Sequence, residues 1–204
     1  MKISLEHISK RFQRHWIFKD ISYSFTSPGA YALLGPNGSG KSTLLRIIAG
    51  MQAPSKGKIE HQEDERVLEP ASVFSHISFS APGMEIVEEL SFREFLEFHF
   101  SFKNPLAGID IKKIIELTGL PNADKPIADY SSGMKQRVKL AQAIFSDTPV
   151  LLLDEPCSNL DQQGVGQYNS WIEQYSKDRL VIIASNDERE YHFCKERIRI
   201  EDYK

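Results

Sequence analysis

Gly35-Pro36-Asn37-Gly38-Ser39-Gly40-Lys41-Ser42-Thr43 is the stretch on which the reading of this chain turns. It is a complete phosphate-binding loop of the form G-x-x-x-x-G-K-[ST]. The apolar run Ala30 to Leu34 precedes it, and Leu44, Leu45, Ile47 and Ile48 follow on one face of a helical pattern that Gly50 can stop. A strand before the loop and a helix after it are what the chemistry needs. The glycines let backbone N–H groups turn inward around an anionic phosphate, and the helix N-terminus adds its dipole. Lys41 is placed to reach the β- and γ-phosphates, and Ser42 to offer its hydroxyl to Mg²⁺. Gly35 to Thr43 are thus candidate nucleotide contacts, with Lys41 also a catalytic candidate.

A second acidic site completes the chemistry. Asp154 follows the apolar run Val150-Leu151-Leu152-Leu153, at the carboxyl end of what reads as a buried parallel strand. Open α/β sheets bind their ligands there, so Asp154 is a candidate to hold Mg²⁺ directly or through water. Glu155, next in the chain, can polarise a water in line with the γ-phosphate.

Outward from these motifs, strands and helices alternate. Ile3 and Leu5, then Ile21, Tyr23 and Phe25, alternate with polar neighbours as half-buried strands do. Glu63-Asp64-Glu65-Arg66 reads as a solvated hairpin end. Ser91-Phe92-Arg93-Glu94 fits a capping box, and Asp110 can cap a second helix carrying Ile111, Ile114 and Ile115. Met134, Val138, Ala141, Ile144 and Phe145 share a helical face, and Leu180 to Ala184 is another continuous apolar run. The expected fold class is α/β, with antiparallel strands within residues 1–80 and a helical insertion near 84–130, all in one domain of residues 1–204.

Composition narrows the function. The chain has 204 residues, 25 Lys and Arg, 28 Asp and Glu, and a formal net charge of −3. No block of like charge marks a nucleic-acid footprint, so no nucleic-acid partner is expected. The two cysteines, Cys157 and Cys194, match no metal spacing and read as reduced buried thiols of a cytoplasmic protein. Met1 to Glu6 has no apolar signal core, and no apolar run approaches the length of a membrane span.

Tyr130-Ser131-Ser132-Gly133-Met134-Lys135-Gln136-Arg137 resembles the signature motif of the ATP-binding cassette (ABC) superfamily, usually L-S-G-G-Q. Ser131 and Gly133 are kept, while Tyr130, Ser132 and Met134 depart. Ser158-Asn159-Leu160-Asp161 resembles the family's D-loop, directly after Asp154-Glu155-Pro156. Four motifs in family order cover the whole chain.

The resemblance implies a P-loop NTPase (RecA-like) core and an ATPase. It implies a head-to-tail dimer in which Ser131, Ser132, Gly133, Met134 and Asp161 of one copy meet the ATP held by the other. It implies integral membrane permease subunits as partners, which place the chain at the inner face of the cell membrane. The chain's end soon after Ile198-Arg199-Ile200 tilts this reading toward an exporter-type subunit. The family's adenine-stacking aromatic falls on Phe12, with Trp16 as the alternative, and either ring can instead serve the core. Soluble cassettes acting on nucleic acid and low-turnover ATP-dependent regulators are the competing readings.

Two positions leave the pattern. The family's γ-phosphate histidine is replaced by Asn186, which can donate only a neutral hydrogen bond. The family's glutamine before the helical insertion is missing, and Ser80-Ala81-Pro82-Gly83-Met84-Glu85 stands there. Glu85 is either a substitute oxygen donor or an exposed loop acid. The phenylalanines 92, 95, 98, 100 and 102 are expected to pack in the core, or to line a groove for a helix of a membrane subunit.

Overall fold

The computed structural model describes residues 1–204. In chain order the first elements are β1 (Lys2–Phe12), β2 (His15–Thr26), β3 (Gly29–Leu34), α1 (Lys41–Ile48), β4 (Lys56–Glu63) and β5 (Arg66–Val67). Next come α2 (Val73–His76), β6 (Ile77–Ser80), α3 (Phe92–Phe100), α4 (Ile111–Thr118) and α5 (Ser132–Ile144). The last are β7 (Val150–Asp154), α6 (Gln162–Tyr175), β8 (Leu180–Ala184), α7 (Glu188–Tyr191) and β9 (Glu196–Arg199).

Two sheets result. β2-β1-β4-β5 is antiparallel, and β6-β7-β8-β3-β9 is parallel throughout. The hairpin end lies where Asp64 and Glu65 turn, both with positive φ, as a two-residue loop requires. No helix is long and apolar enough to cross a membrane.

The continuous apolar runs have a physical cause. Val150, Leu152, Leu180, Ile182 and Ala184 face a core shared with α1 and the antiparallel sheet. Leu151, Leu153, Val181 and Ile183 face the opposite core, shared with α3, α5 and α6. Val150 to Leu153 and Leu180 to Ala184 alternate between two dry layers, so these runs carry no polar side chain. α1 is the spacer between the sheets, with Leu44, Leu45, Ile47 and Ile48 all buried.

The insertion is capped as its sequence indicates. Ser91 Oγ accepts from Glu94 N–H while the Glu94 carboxylate accepts from Ser91 N–H, and Asp110 accepts from Lys113 N–H at 2.7 Å. Phe92, Phe95 and Leu96 are buried beneath α3, but Phe98 and Phe102 are 52% and 68% exposed. The four-residue helix α2 replaces part of what periodicity reads as short strands, because Pro70 starts a turn that carries into it.

α3 also carries a half-buried imidazole. His99 Nε2 meets Ser146 Oγ at 2.9 Å, and burial, helped by the nearby Lys103 charge, pushes its pKa down to about 4. The unfolded chain therefore binds this proton first. Stability should be full above about pH 6.5 and fall as pH drops toward 4, by roughly 2 kcal/mol after discounting partial exposure. A His99→Gln variant should show a flatter fall of the urea midpoint over that window.

Candidate functional site

Strand order assembles the site. β8 lies between β3 and β7, with Leu33 and Asp154 both in register with Ala184. The segments beginning at Gly35, Glu155 and Ser185 therefore leave adjacent strand ends at one level, although well over a hundred residues separate the first from the others. This is the carboxyl edge at which parallel sheets bind ligands.

In the loop itself, Gly35, Gly38 and Gly40 have positive φ. Gly40 has a second constraint: a Cβ there would lie 2.5 Å from the Ile17 Cγ2 methyl. Only glycine lets the chain pass under β2 and start α1 at Lys41. Lys41 is 4% exposed, and its Nζ donates to the carbonyls of Gly35 at 2.7 Å and Pro36 at 3.4 Å. The ammonium is thus folded over its own loop. Ile17, Asn37, Gly38, Gly40, Lys41, Ser42, Thr43 and Glu155 line a cleft of about 180 Å³.

Ser42, which lines this cleft, is bonded to the buried Asp154. Ser42 Oγ donates to Asp154 Oδ1 at 2.9 Å. Burial raises the Asp154 pKa, and the Ser42 hydrogen bond only partly offsets it. A buried carboxylate and a hydroxyl side by side are a hard-oxygen pair whose chemistry fits Mg²⁺.

Glu155 lines the cleft from a left-handed backbone, φ 41°, and its N–H donates to Ala184 O at 2.9 Å. Ser158 Oγ donates to Glu155 Oε2 at 3.4 Å. Asn186 Oδ1 accepts from Gly35 N–H at 3.2 Å, which leaves its Nδ2 as the free donor. The site therefore brings together Lys41, Ser42, Asp154, Glu155 and Asn186.

The second cluster lies elsewhere. Ser131 caps α5, accepting from Met134 N–H at 3.3 Å, and Ser131 and Ser132 are exposed. Gly133 is required by its neighbour, since a Cβ would lie 2.8 Å from Asn159 O. Gln136 Nε2 donates to Pro156 O at 2.8 Å, and Arg137 Nη2 lies 3.4 Å from Asp161 Oδ1. No hydrogen bond joins Ser131, Ser132, Gly133, Met134 or Asp161 to the phosphate loop.

Phe12 lies 48% exposed at the end of β1, with Lys10 Nζ 5.3 Å from its ring centre, and it does not line the cleft. Trp16 is flanked by Arg11 and Lys56, each 5.5 Å from its ring centre. Ile17, which does line the cleft, carries no motif by which sequence reasoning would have found it. In the segment lacking glutamine, Glu85 is exposed with no hydrogen bond. Lys139 Nζ instead donates to Pro82 O at 2.6 Å, and Lys135 Nζ to Glu88 at 2.6 Å, tying the segment to α5.

A family model described as ABC transporter matches residues 18–158. The chain is 30% identical over 202 residues to the uncharacterized ABC transporter ATP-binding protein YhcH of Bacillus subtilis, covering 97% of this chain and 66% of that protein. It is 33% identical over 203 residues to the sulfate/thiosulfate import ATP-binding protein CysA of Escherichia coli, covering 93% of this chain and 54% of that protein. Against the dimeric post-hydrolysis state of the ATP-binding cassette MJ0796 bound to ADP and Pi, the TM-score is 0.82 at 20% identity, over 97% of this chain and 93% of the other. That last likeness is one of fold.

Proposed function

The chain belongs to the ABC transporter family of ATPase cassettes, and on that premise we propose that residues 1–204 form one cassette whose ATP hydrolysis powers transport through separate permease subunits. The observation that carries this is the division of the chemistry. Lys41, Ser42 and Glu155 line one cleft, with Asp154 bonded to Ser42 and Asn186 to Gly35 at its edge, while Ser131 and Ser132 sit exposed and Ser131 to Met134 make no bond to it. A second copy, turned head to tail, supplies the missing cap, so two copies enclose two ATP molecules in equivalent sites.

Each residue then has a role in this reading. The N–H groups of Gly35 to Thr43 cradle the phosphates, and Lys41 exchanges its carbonyl partners for the β- and γ-oxygens. Ser42 and Asp154 would hold Mg²⁺, whose chemistry would be to offset charge on the transferring phosphoryl group. Glu155 takes the proton of the attacking water. The exposed Phe12 ring offers a face to adenine. Ser131, Ser132, Gly133, Met134 and Asp161 close on the partner's ATP.

Asn186 donates its neutral amide to the γ-phosphate. An imidazolium would make a charge-assisted bond, stronger by about 1 kcal/mol, or roughly fivefold in rate. Asn186→His should therefore raise kcat several-fold below about pH 7. Phosphate release measured from pH 6 to 8 checks this, and no rise at any pH counts against the assignment.

Phe98 and Phe102 stack edge to face, 5.2 Å apart, on the exposed side of the insertion. Burying such a pair against a permease helix would give the insertion its mechanical link to the membrane. The neutral Asn186 and the absent glutamine favour a second reading, a low-turnover ATP-dependent regulator.

Two measurements test the proposal: phosphate release by the purified chain with Mg-ATP, and sedimentation of the chain with membranes in the cells that make it. Release together with sedimentation supports a transporter subunit. Release without sedimentation favours a soluble cassette, and dimerisation on ATP without release favours the regulator.

A further inference from the structure

Behind the cleft lies a buried carboxylate to which none of the roles above is given. Glu190, in α7, is 3% exposed, and its Oε2 has no hydrogen-bond partner. Its Oε1 accepts from Cys157 N–H at 2.6 Å, and its backbone carbonyl accepts from Tyr168 Oη at 2.8 Å, which ties α7 to α6. Burial raises the carboxyl pKa, and the Cys157 N–H offsets this only in part. A half-satisfied buried acid is costly, so a fold that keeps one draws something from it.

What it holds is the turn that carries Glu155. That residue is not glycine, yet its φ is 41°, a conformation costing on the order of 1–2 kcal/mol. Such backbone persists only where its surroundings over-determine it. Four bonds do so here. Glu155 N–H donates to Ala184 O, and Ser158 N–H donates to Glu155 O at 3.1 Å. Gln136 donates to Pro156 O, and Cys157 N–H donates to Glu190. The Glu190 bond is the one among them whose acceptor is a carboxyl, and it lies two residues from Glu155 with the rigid Pro156 between.

We propose that Glu190 is a positioning residue for Glu155, its Oε1 holding the 155–158 turn through Cys157 N–H so that the Glu155 carboxylate faces the cleft. This rests on the reading of Glu155 as the residue that activates water. The same bond ties α7, which follows the loop after β8, to the turn after β7 that leads into Ser158–Asp161.

The test compares Glu190→Ala and Glu190→Gln with wild type in kcat, KM for Mg-ATP and nucleotide affinity. The alanine variant should lose ten- to a hundredfold in kcat, the scale set by sub-ångström to ångström misplacement of a reacting group, with KM within about threefold. The glutamine variant keeps an oxygen acceptor and should recover to within about threefold of wild type. In a Glu155→Gln background, Glu190→Ala should cost nothing further, since its effect runs through Glu155. An unchanged kcat in the alanine variant overturns the proposal. So does a glutamine variant as slow as alanine, or a loss that adds to that of Glu155→Gln. If the alanine variant does not fold, Glu190→Asp, one methylene shorter, is read by the same criteria. A wild type that releases no phosphate defeats the functional reading and this inference with it, whereas active wild type with a normal Glu190→Ala defeats this inference alone.

Discussion

Glu155→Gln is expected to bind ATP normally and to lose about 10²- to 10⁴-fold in turnover, the contribution of a positioned general base. The substitution is nearly isosteric and leaves the turn intact: Glu155 N–H still donates to Ala184 O, and Cys157 N–H still donates to Glu190. An amide can orient a water but cannot take its proton. ATP should then persist in the cleft, and the variant should elute as a dimer on size exclusion with Mg-ATP, while wild type returns to monomer as it hydrolyses. Phosphate release from the same samples gives the rate. A variant that turns over like wild type would remove Glu155 from the chemistry, and one that never dimerises would remove the head-to-tail arrangement.

Lys41→Ala should instead weaken nucleotide binding itself, by about a hundredfold or more. The ammonium is 4% exposed, and in the structure its only partners are the carbonyls of Gly35 and Pro36. Two charge-assisted bonds to phosphate, at roughly 1.5 kcal/mol each, account for that factor. The Ser42–Asp154 contact does not involve Lys41, so the fold should survive with a melting temperature within a few degrees of wild type. Titration with a fluorescent ATP analogue measures the affinity. A dissociation constant within fivefold of wild type would show that the loop's N–H groups alone hold the phosphates.

The aromatic insertion shows where periodicity stops being informative. Phe92, Phe95 and Leu96 share a helical face and are buried, but spacing does not place Phe98 or Phe102, which are exposed. A helix of nine residues presents a full circle of faces, and which face meets the core depends on where α5 lies against it. The same limit applies at Phe12, a strand-end aromatic whose sequence neighbours do not decide between core and ligand. In both places, exposure follows from packing between elements, and spacing within one element does not encode it.

The sequence by itself determined the phosphate loop, the acidic strand end, the caps of α3 and α4 and the alternation of buried strands with helices. These are local matters: glycine φ, side-chain reach and period depend on residues close in the chain. Only the tertiary structure decided that Asn186 Oδ1 meets Gly35 N–H, that Gln136 and Glu190 clamp the turn after Glu155, and that Ile17 walls the cleft. Those contacts join residues 20 to 151 positions apart or lie across sheets, and they exist because β8 lies between β3 and β7. Strand order comes from the packing of α1, α5 and α6 against two sheet faces, a long-range outcome that no short motif carries.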